Sequence, residues 1–296
     1  MQTQLKTPYG KAKLYSASPE GQGSRGNIVV IPGFAETLTQ NKRLVNSLAK
    51  QGYNASTYSQ PRGRGSKEDR KRSPMVRAAL IAGYIINKVD EPVDVVGHSM
   101  SAKVALIVAE AMPDKIGKVI LLQPNGINSP QSLGQISKKS TMKNVDNLRN
   151  AGKIAASIGE SKWSVIKLLV VGQAKATKLL AVNFNLAKAE SIEAANDSLL
   201  SNAKKVRDLG KEVVVIGAQG DQFFDQQEVN ATYGLAGHMN DGQTIAIDDL
   251  FPMSVMSNPE ATHDASWMRP DETAIAIRAV LGHSALKAMN VHASQV

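Results

Sequence analysis

Short apolar runs alternate with stretches whose apolar residues recur at helical spacing through the first 125 residues, and this rhythm limits the fold more than any other feature. Asn27 to Ile31 reads as a buried strand ending at Pro32-Gly33. A helix follows from about Gln40, with Leu44, Val45 and Leu48 on one face, and Gly52 stops it. Tyr53 to Tyr58 reads as the next strand. Ser73-Pro74 supplies an N-cap and a first-turn proline to a helix carrying Val76, Leu80, Ile81, Tyr84 and Ile85. Val93 to Val96 is a strand that runs into Gly97-His98-Ser99. Ser99 to Met112 reads as a helix and Lys118 to Leu122 as another strand. Strands separated by helices pair in parallel through right-handed crossovers, which predicts an α/β sheet.

The rhythm then changes. From Gly126 to Asp208 the pattern is helical only, rich in Ala, Lys, Leu, Ser and Asn. Strand patterns resume at Glu212 to Ile216 and near Ser254 to Met256. The last helix starts at Arg269-Pro270-Asp271 and buries Ala274, Ile277 and Leu281. A helical block between two strands of one sheet reads as an inserted lid. The expected organisation is a core of residues 1–125 and 209–296 with a helical cap over 126–208. A chain of 296 residues is long enough to bury such a core.

Composition narrows the function. Cysteine is absent, which excludes disulfides, thiol nucleophiles and Cys-based metal sites. No cofactor or metal is expected. Met1 to Tyr15 lacks the apolar run of a signal peptide, and no stretch approaches ~18 uninterrupted apolar residues. The expectation is a soluble, cytoplasmic protein with a small-molecule substrate. The net charge of +9 invites a nucleic-acid reading. No binding motif accompanies it, aromatics are only 4 %, and the basic stretch Arg62 to Arg72 has Glu68 and Asp69 interleaved. That stretch reads as a solvated loop.

The segment Val95-Val96-Gly97-His98-Ser99-Met100-Ser101-Ala102 carries chemistry. A serine is a weak nucleophile unless it is exposed, fixed and beside a base. A tight strand-to-helix turn supplies the exposure and places the helix dipole's positive end beneath it. The turn crowds the backbone, so the residues two positions either side must be small, here Gly97 and Ser101. Two other Gly-x-Ser triplets, ending at Ser161 and Ser284, follow no predicted strand and read as ordinary helix serines.

With these residues in place the chain resembles the α/β-hydrolase family over nearly its whole length. The resemblance rests on four segments in the family's order: Val29-Val30-Ile31-Pro32-Gly33-Phe34, Arg62-Gly63-Arg64-Gly65-Ser66, the elbow at Ser99, and the pair Asp221 and His263. It implies an α/β-hydrolase fold and a Ser99, Asp221, His263 triad. Met100 and Phe34 would supply the oxyanion-hole N–H groups, with Ala35 as the alternative to Phe34. His98, beside the nucleophile, is expected to point into packing. His263, in Ala261-Thr262-His263-Asp264-Ala265, stands ahead of His238 as the base. The orienting carboxylate is Asp221, after Val213 to Ile216, with Asp225 as its alternative.

The expected reaction is hydrolysis of a carboxylic ester through an acyl-enzyme. Lactone hydrolysis and carbon–carbon bond hydrolysis use the same groups, and cofactor-free perhydrolase or haloperoxidase chemistry is a more distant rival. A hydrolase-like receptor with little turnover is the alternative of another class. Residues 126–208 hold thirteen Lys plus Arg against six Asp plus Glu, so the cap carries most of the net charge. Trp163, Ile166, Leu169 and Val170 lie in helical register there, to line a pocket or to pack the lid on the core.

Overall fold

The computed structural model of the protein describes residues 1–8, 10–21, 23–33, 36–59, 74–124, 145, 148–157, 161–167, 169–170, 199–218, 221, 245–247, 251–256 and 264–293. Its strands are β1 (Gln2–Thr7), β2 (Gly10–Ala17), β3 (Asn27–Ile31), β4 (Asn54–Tyr58), β5 (Val93–His98), β6 (Ile116–Leu122), β7 (Glu212–Ala218), β8 (Ile245–Ile247) and β9 (Phe251–Met256). Its helices are α1 (Leu38–Lys50), α2 (Pro74–Ile86), α3 (Ser101–Ala111), α4 (Ala151–Ser157), α5 (Leu199–Asp208), α6 (Ala265–Met268) and α7 (Pro270–Ala293), and residues 162–167 are also helical.

One sheet contains all the described strands in the order β1-β2-β4-β3-β5-β6-β7-β9-β8. From β4 to β9 every neighbouring pair is parallel. The edges are antiparallel, through β1 with β2 and β4 on one side and β8 with β9 on the other. The central strands read as unbroken apolar runs because both their faces are covered. Val29, Ile31, Val93, Val95, Val119 and Leu121 pack on one face with residues of α2, α3 and α5. Ile28, Val30, Val96, Ile120, Leu122 and Val214 pack on the other with residues of α1 and α7. Alternation along each strand sorts the side chains between these two layers.

Helix α1 shows how local chemistry sets an element boundary. Thr37 is its N-cap and forms a capping box with Gln40, so the helix begins two residues before the position read from apolar periodicity. Helix α5, placed by the sequence reading at the end of the cap, sits instead in the core. Leu199, Ala203 and Val206 are buried in the same cluster as α2 and α3. The parallel pairing of β6 with β7 needs a crossover of this kind. In the rest of the cap segment, Ala151, Ala155, Val165 and Leu169 pack with Trp267 and Met268 of α6. Trp163 and Val170, grouped with Leu169 in the sequence reading, are exposed instead. No helix among the described residues is long and apolar enough to cross a membrane.

Candidate active site

The chain turns one way from β3 to β4 and the other way from β5 to β6, so the strand order reverses between the neighbours β3 and β5. In open α/β sheets the crevice at the carboxyl ends of such strands is where ligands bind. Gly33 and Ser99 lie at those two strand ends.

Ser99 has φ +56°, in the left-handed region that a side chain disfavours by about 1–2 kcal/mol. The turn is held by backbone bonds. The Ser99 N–H donates to the Leu122 carbonyl at 3.0 Å, and the Ala102 N–H donates to the Ser99 carbonyl at 3.1 Å. The chain passes from strand to helix within two residues, because α3 begins at Ser101. That closeness fixes position 97. A Cβ on Gly97 would lie 2.8 Å from the Ala102 Cα and would also run into the Ser101 carbonyl oxygen. No conformational change of a side chain relieves a clash with helix backbone, so glycine is required there. Met100 is buried at the N-cap position of α3.

Position 101, serine where the Gly-x-Ser-x-Gly elbow motif of α/β-hydrolases has glycine, is buried, and its Oγ donates to the Pro32 carbonyl. His98 does not simply fill space. Its Nδ1 lies 2.5 Å from Glu36 Oε1, and both side chains are almost fully buried. Glu36 Oε2 accepts from the Gly33 N–H at 2.6 Å and from Asn41 Nδ2 at 3.1 Å. Burial by itself would raise the Glu36 carboxyl. The charge and hydrogen bond of His98, with the bonds from Gly33 and Asn41, outweigh it and hold the group below the usual carboxylate range. An ionised carboxylate only accepts, so the shared hydrogen belongs to His98 Nδ1. Glu36 was not singled out from sequence. Its one signal is a carboxylate three residues after Gly33, which matches no motif.

Asp221 is buried just past the end of β7, and its N–H donates to the Ala218 carbonyl at 3.0 Å. It stands on the same sheet edge as Ser99, with only β6 between their two strands. His263, Phe34, Ala35, His238, Asp225 and the Arg62–Arg72 stretch lie outside the described residues. Asp264, the neighbour of His263, is buried and begins the turn into α6. The two rival serines are not at strand ends. Ser161 caps a helical stretch by accepting from the Ser164 N–H at 3.1 Å, and Ser284 lies inside α7.

No family model matches the chain, and no curated protein matches it. Solved structures do. An α/β-hydrolase enzyme from the metagenome of Mar Chica lagoon sediments matches with a TM-score of 0.54 at 15 % identity, over 98 % of this chain and 99 % of its own. The chain has the α/β-hydrolase fold. Two further examples of similarity are a bromoperoxidase from Bacillus anthracis and a meta-cleavage product hydrolase from Pseudomonas fluorescens. The first has a TM-score of 0.60 at 14 % identity, over 95 % of this chain and 100 % of its own. The second has a TM-score of 0.60 at 12 % identity, over 95 % of this chain and 98 % of its own. Ser99 occupies the strand-to-helix turn after the central strand β5.

Proposed function

We propose that this protein is a serine hydrolase that cleaves carboxylic esters through an acyl-enzyme. The observation that carries the reading is the left-handed backbone of Ser99, a serine held at φ +56° on a turn where position 97 has no room for a side chain. Of the two non-glycine residues with positive φ among the described residues, Gln123 is fully buried, whereas half-buried Ser99 stands at the ligand-binding edge of the sheet, where strain supports a group kept for chemistry.

The proposed steps follow from the groups. Ser99 Oγ attacks the ester carbonyl while His263 takes its proton. Asp221, buried on the same edge, holds the imidazole in the required tautomer and stabilises its charged form. The N–H of Met100 and a second N–H from the turn after β3, assigned to Phe34, receive the charge that grows on the carbonyl oxygen. His263 then protonates the departing alcohol, and water attacks the acyl-enzyme with the same base. Residues 126–198 act as a cap over this edge, with their lysines favouring anionic esters.

Ser99→Ala should lower turnover of an activated aryl ester by roughly 10⁴-fold or more, since nucleophile and base act as a unit, while Ser284→Ala changes nothing. A phosphonate should label Ser99. Full activity in Ser99→Ala, or labelling mapped elsewhere, would remove the assignment. Running ester, lactone and diketone substrates together separates ester cleavage from the lactonase and carbon–carbon readings. Matched anionic and cationic esters in the same panel test the cap, whose charge has no role in selection if both turn over equally at low salt.

A further inference from the structure

Strands β3 and β5 pair in register as far as Ile31 opposite Gly97. Beyond that pair the backbone ladder between them stops. β3 enters the turn at Pro32-Gly33, and β5 enters the elbow at His98-Ser99. Among the described residues, the links between the two loops come from side chains. Ser101 Oγ donates to the Pro32 carbonyl. His98 Nδ1 bonds Glu36 Oε1 at 2.5 Å, while Glu36 Oε2 takes the Gly33 N–H at 2.6 Å.

We infer that Glu36, His98 and Ser101 form a positioning brace that sets the oxyanion-binding turn after β3 against the Ser99 elbow. This rests on the serine-hydrolase reading above. Glu36 engages Gly33 twice, since its own N–H also donates to the Gly33 carbonyl at 3.2 Å. Both backbone polar groups of Gly33 are thus taken, and its N–H is not available to a substrate. Gly33 is thereby withdrawn as an oxyanion donor, which accords with the proposed assignment to Phe34 or its alternative Ala35. The brace also explains the glycine. A Cβ at position 33 would sit 3.0 Å from Glu36 Cδ and 3.1 Å from His98 Nδ1, inside the space the pair occupies. Asn41, buried on α1, donates at 3.1 Å to the oxygen that holds Gly33, so the carboxylate is anchored from the helix side as well. Serine at position 101 is then a functional departure from the family's glycine, because only a side chain there can reach the Pro32 carbonyl. These three act through the backbone they hold and do not touch the reacting atoms.

The test compares two replacements of His98, each normalised to the fraction of Ser99 that a phosphonate titrates. Asn presents an N–H donor where Nδ1 stood. Leu fills similar volume with no donor. His98→Leu should lower kcat by roughly 100-fold, as for a misplaced reacting geometry, with KM unchanged. It should weaken an aryl trifluoromethyl ketone, whose oxyanion occupies the hole, by the same factor. His98→Asn should stay within about 3-fold of the parent, because the charge-assisted bond to Glu36 is kept. Ser101→Gly, which restores the family's residue, should lower kcat by about 5-fold, the effect of one hydrogen bond. It serves where His98→Leu does not fold. Equal kcat for the Leu and Asn variants, or an unchanged kcat in Ser101→Gly, overturns the brace while leaving Ser99 labelled and the function intact. An active Ser99→Ala overturns both.

Discussion

Strand β5 carries a buried or half-buried carboxylate contact at each end, and the two behave in opposite ways. At its carboxyl end, Glu36 meets His98, Gly33 and Asn41, and its pKa falls despite burial. At its amino end, Asp94 is half-buried. Its Oδ1 takes the Lys118 N–H at 2.8 Å. There burial outweighs that bond and the Lys118 charge, Glu212 adds repulsion, and the carboxyl rises. The difference lies in the number of donors aimed at the charge. Three donors in a dry site outweigh the cost of burying a carboxylate's charge, and one does not. Ionised Glu36 can grip a backbone N–H firmly enough to fix a turn, whereas Asp94 accepts one N–H where the β5–β6 register shifts.

Glycines beside the two groups give the strongest way to break this comparison. Gly97→Ala drives a methyl group into the backbone of α3. It should cost roughly 3 kcal/mol in denaturant unfolding and lower the remaining activity by about 100-fold. Gly117→Ala would place its Cβ 2.5 Å from Asp94 Oδ1, a movable side-chain atom. It should cost about 1 kcal/mol and leave turnover unchanged. A Gly97→Ala protein as stable and active as the parent would show that the elbow is not as tight as described.

Removing the carboxylates themselves gives a smaller contrast. Glu36→Ala leaves the buried Gly33 N–H and His98 Nδ1 without their carboxylate partner and should destabilise by about 2–3 kcal/mol. Asp94→Asn should be within about 0.5 kcal/mol of the parent, because the amide oxygen still accepts from Lys118 and no charge is buried. Equal losses in urea unfolding would erase the distinction between the two ends.

The pH dependence sharpens the same contrast with the least change in structure. Glu36 is held below its ordinary ~4.3. The unfolded chain therefore binds its proton more tightly than the fold does. The stability it contributes is complete above that value and is lost as pH falls through the lower folded value. Asp94 is raised above its ordinary ~3.9, so the sign reverses. Its ionised form burdens the fold at neutral pH, and the burden lifts as pH falls through the raised folded value. Glu36→Gln should therefore flatten the acid fall in Tm, and Asp94→Asn should steepen it. Tm profiles from pH 3 to 7 decide the matter, and parallel curves for both variants and the parent would refute the opposed directions.

The core strands were legible in the sequence for a physical reason. Strands covered on both faces are continuous apolar runs, so β3 to β7 stood out within a residue or two at most ends. The hairpin β1–β2 did not. It is an antiparallel edge with one face toward solvent, and Gln2–Thr7 has too few apolar residues to mark a period. Helix α5 was read as cap because amphipathic spacing records that a face is buried, not against what. At the site, Gly97, His98, Ser99 and Ser101 are neighbours in the chain, and local crowding dictates their types. Glu36 lies 62 residues from the His98 it binds. No spacing rule reports a pair that only the sheet brings together, so the sequence pattern around His98 gives no sign of Glu36.

The contacts of α1 with the last part of the chain carry a consequence for how the molecule comes off the ribosome. Ser47 Oγ donates to Asp271 Oδ1 at 2.5 Å, and Arg43 reaches the Trp267 carbonyl at 3.4 Å, each across 224 residues of sequence. Ala265, Ala274, Ile277 and Val280 complete the apolar layer that α1, β3 and β5 begin. During synthesis that layer stays open on one side until residues beyond 280 have emerged. A nascent chain can form the turn at Ser99 early, but its α1 face remains sticky and exposed until that segment has been made. Position 263 arrives with the same closing segment.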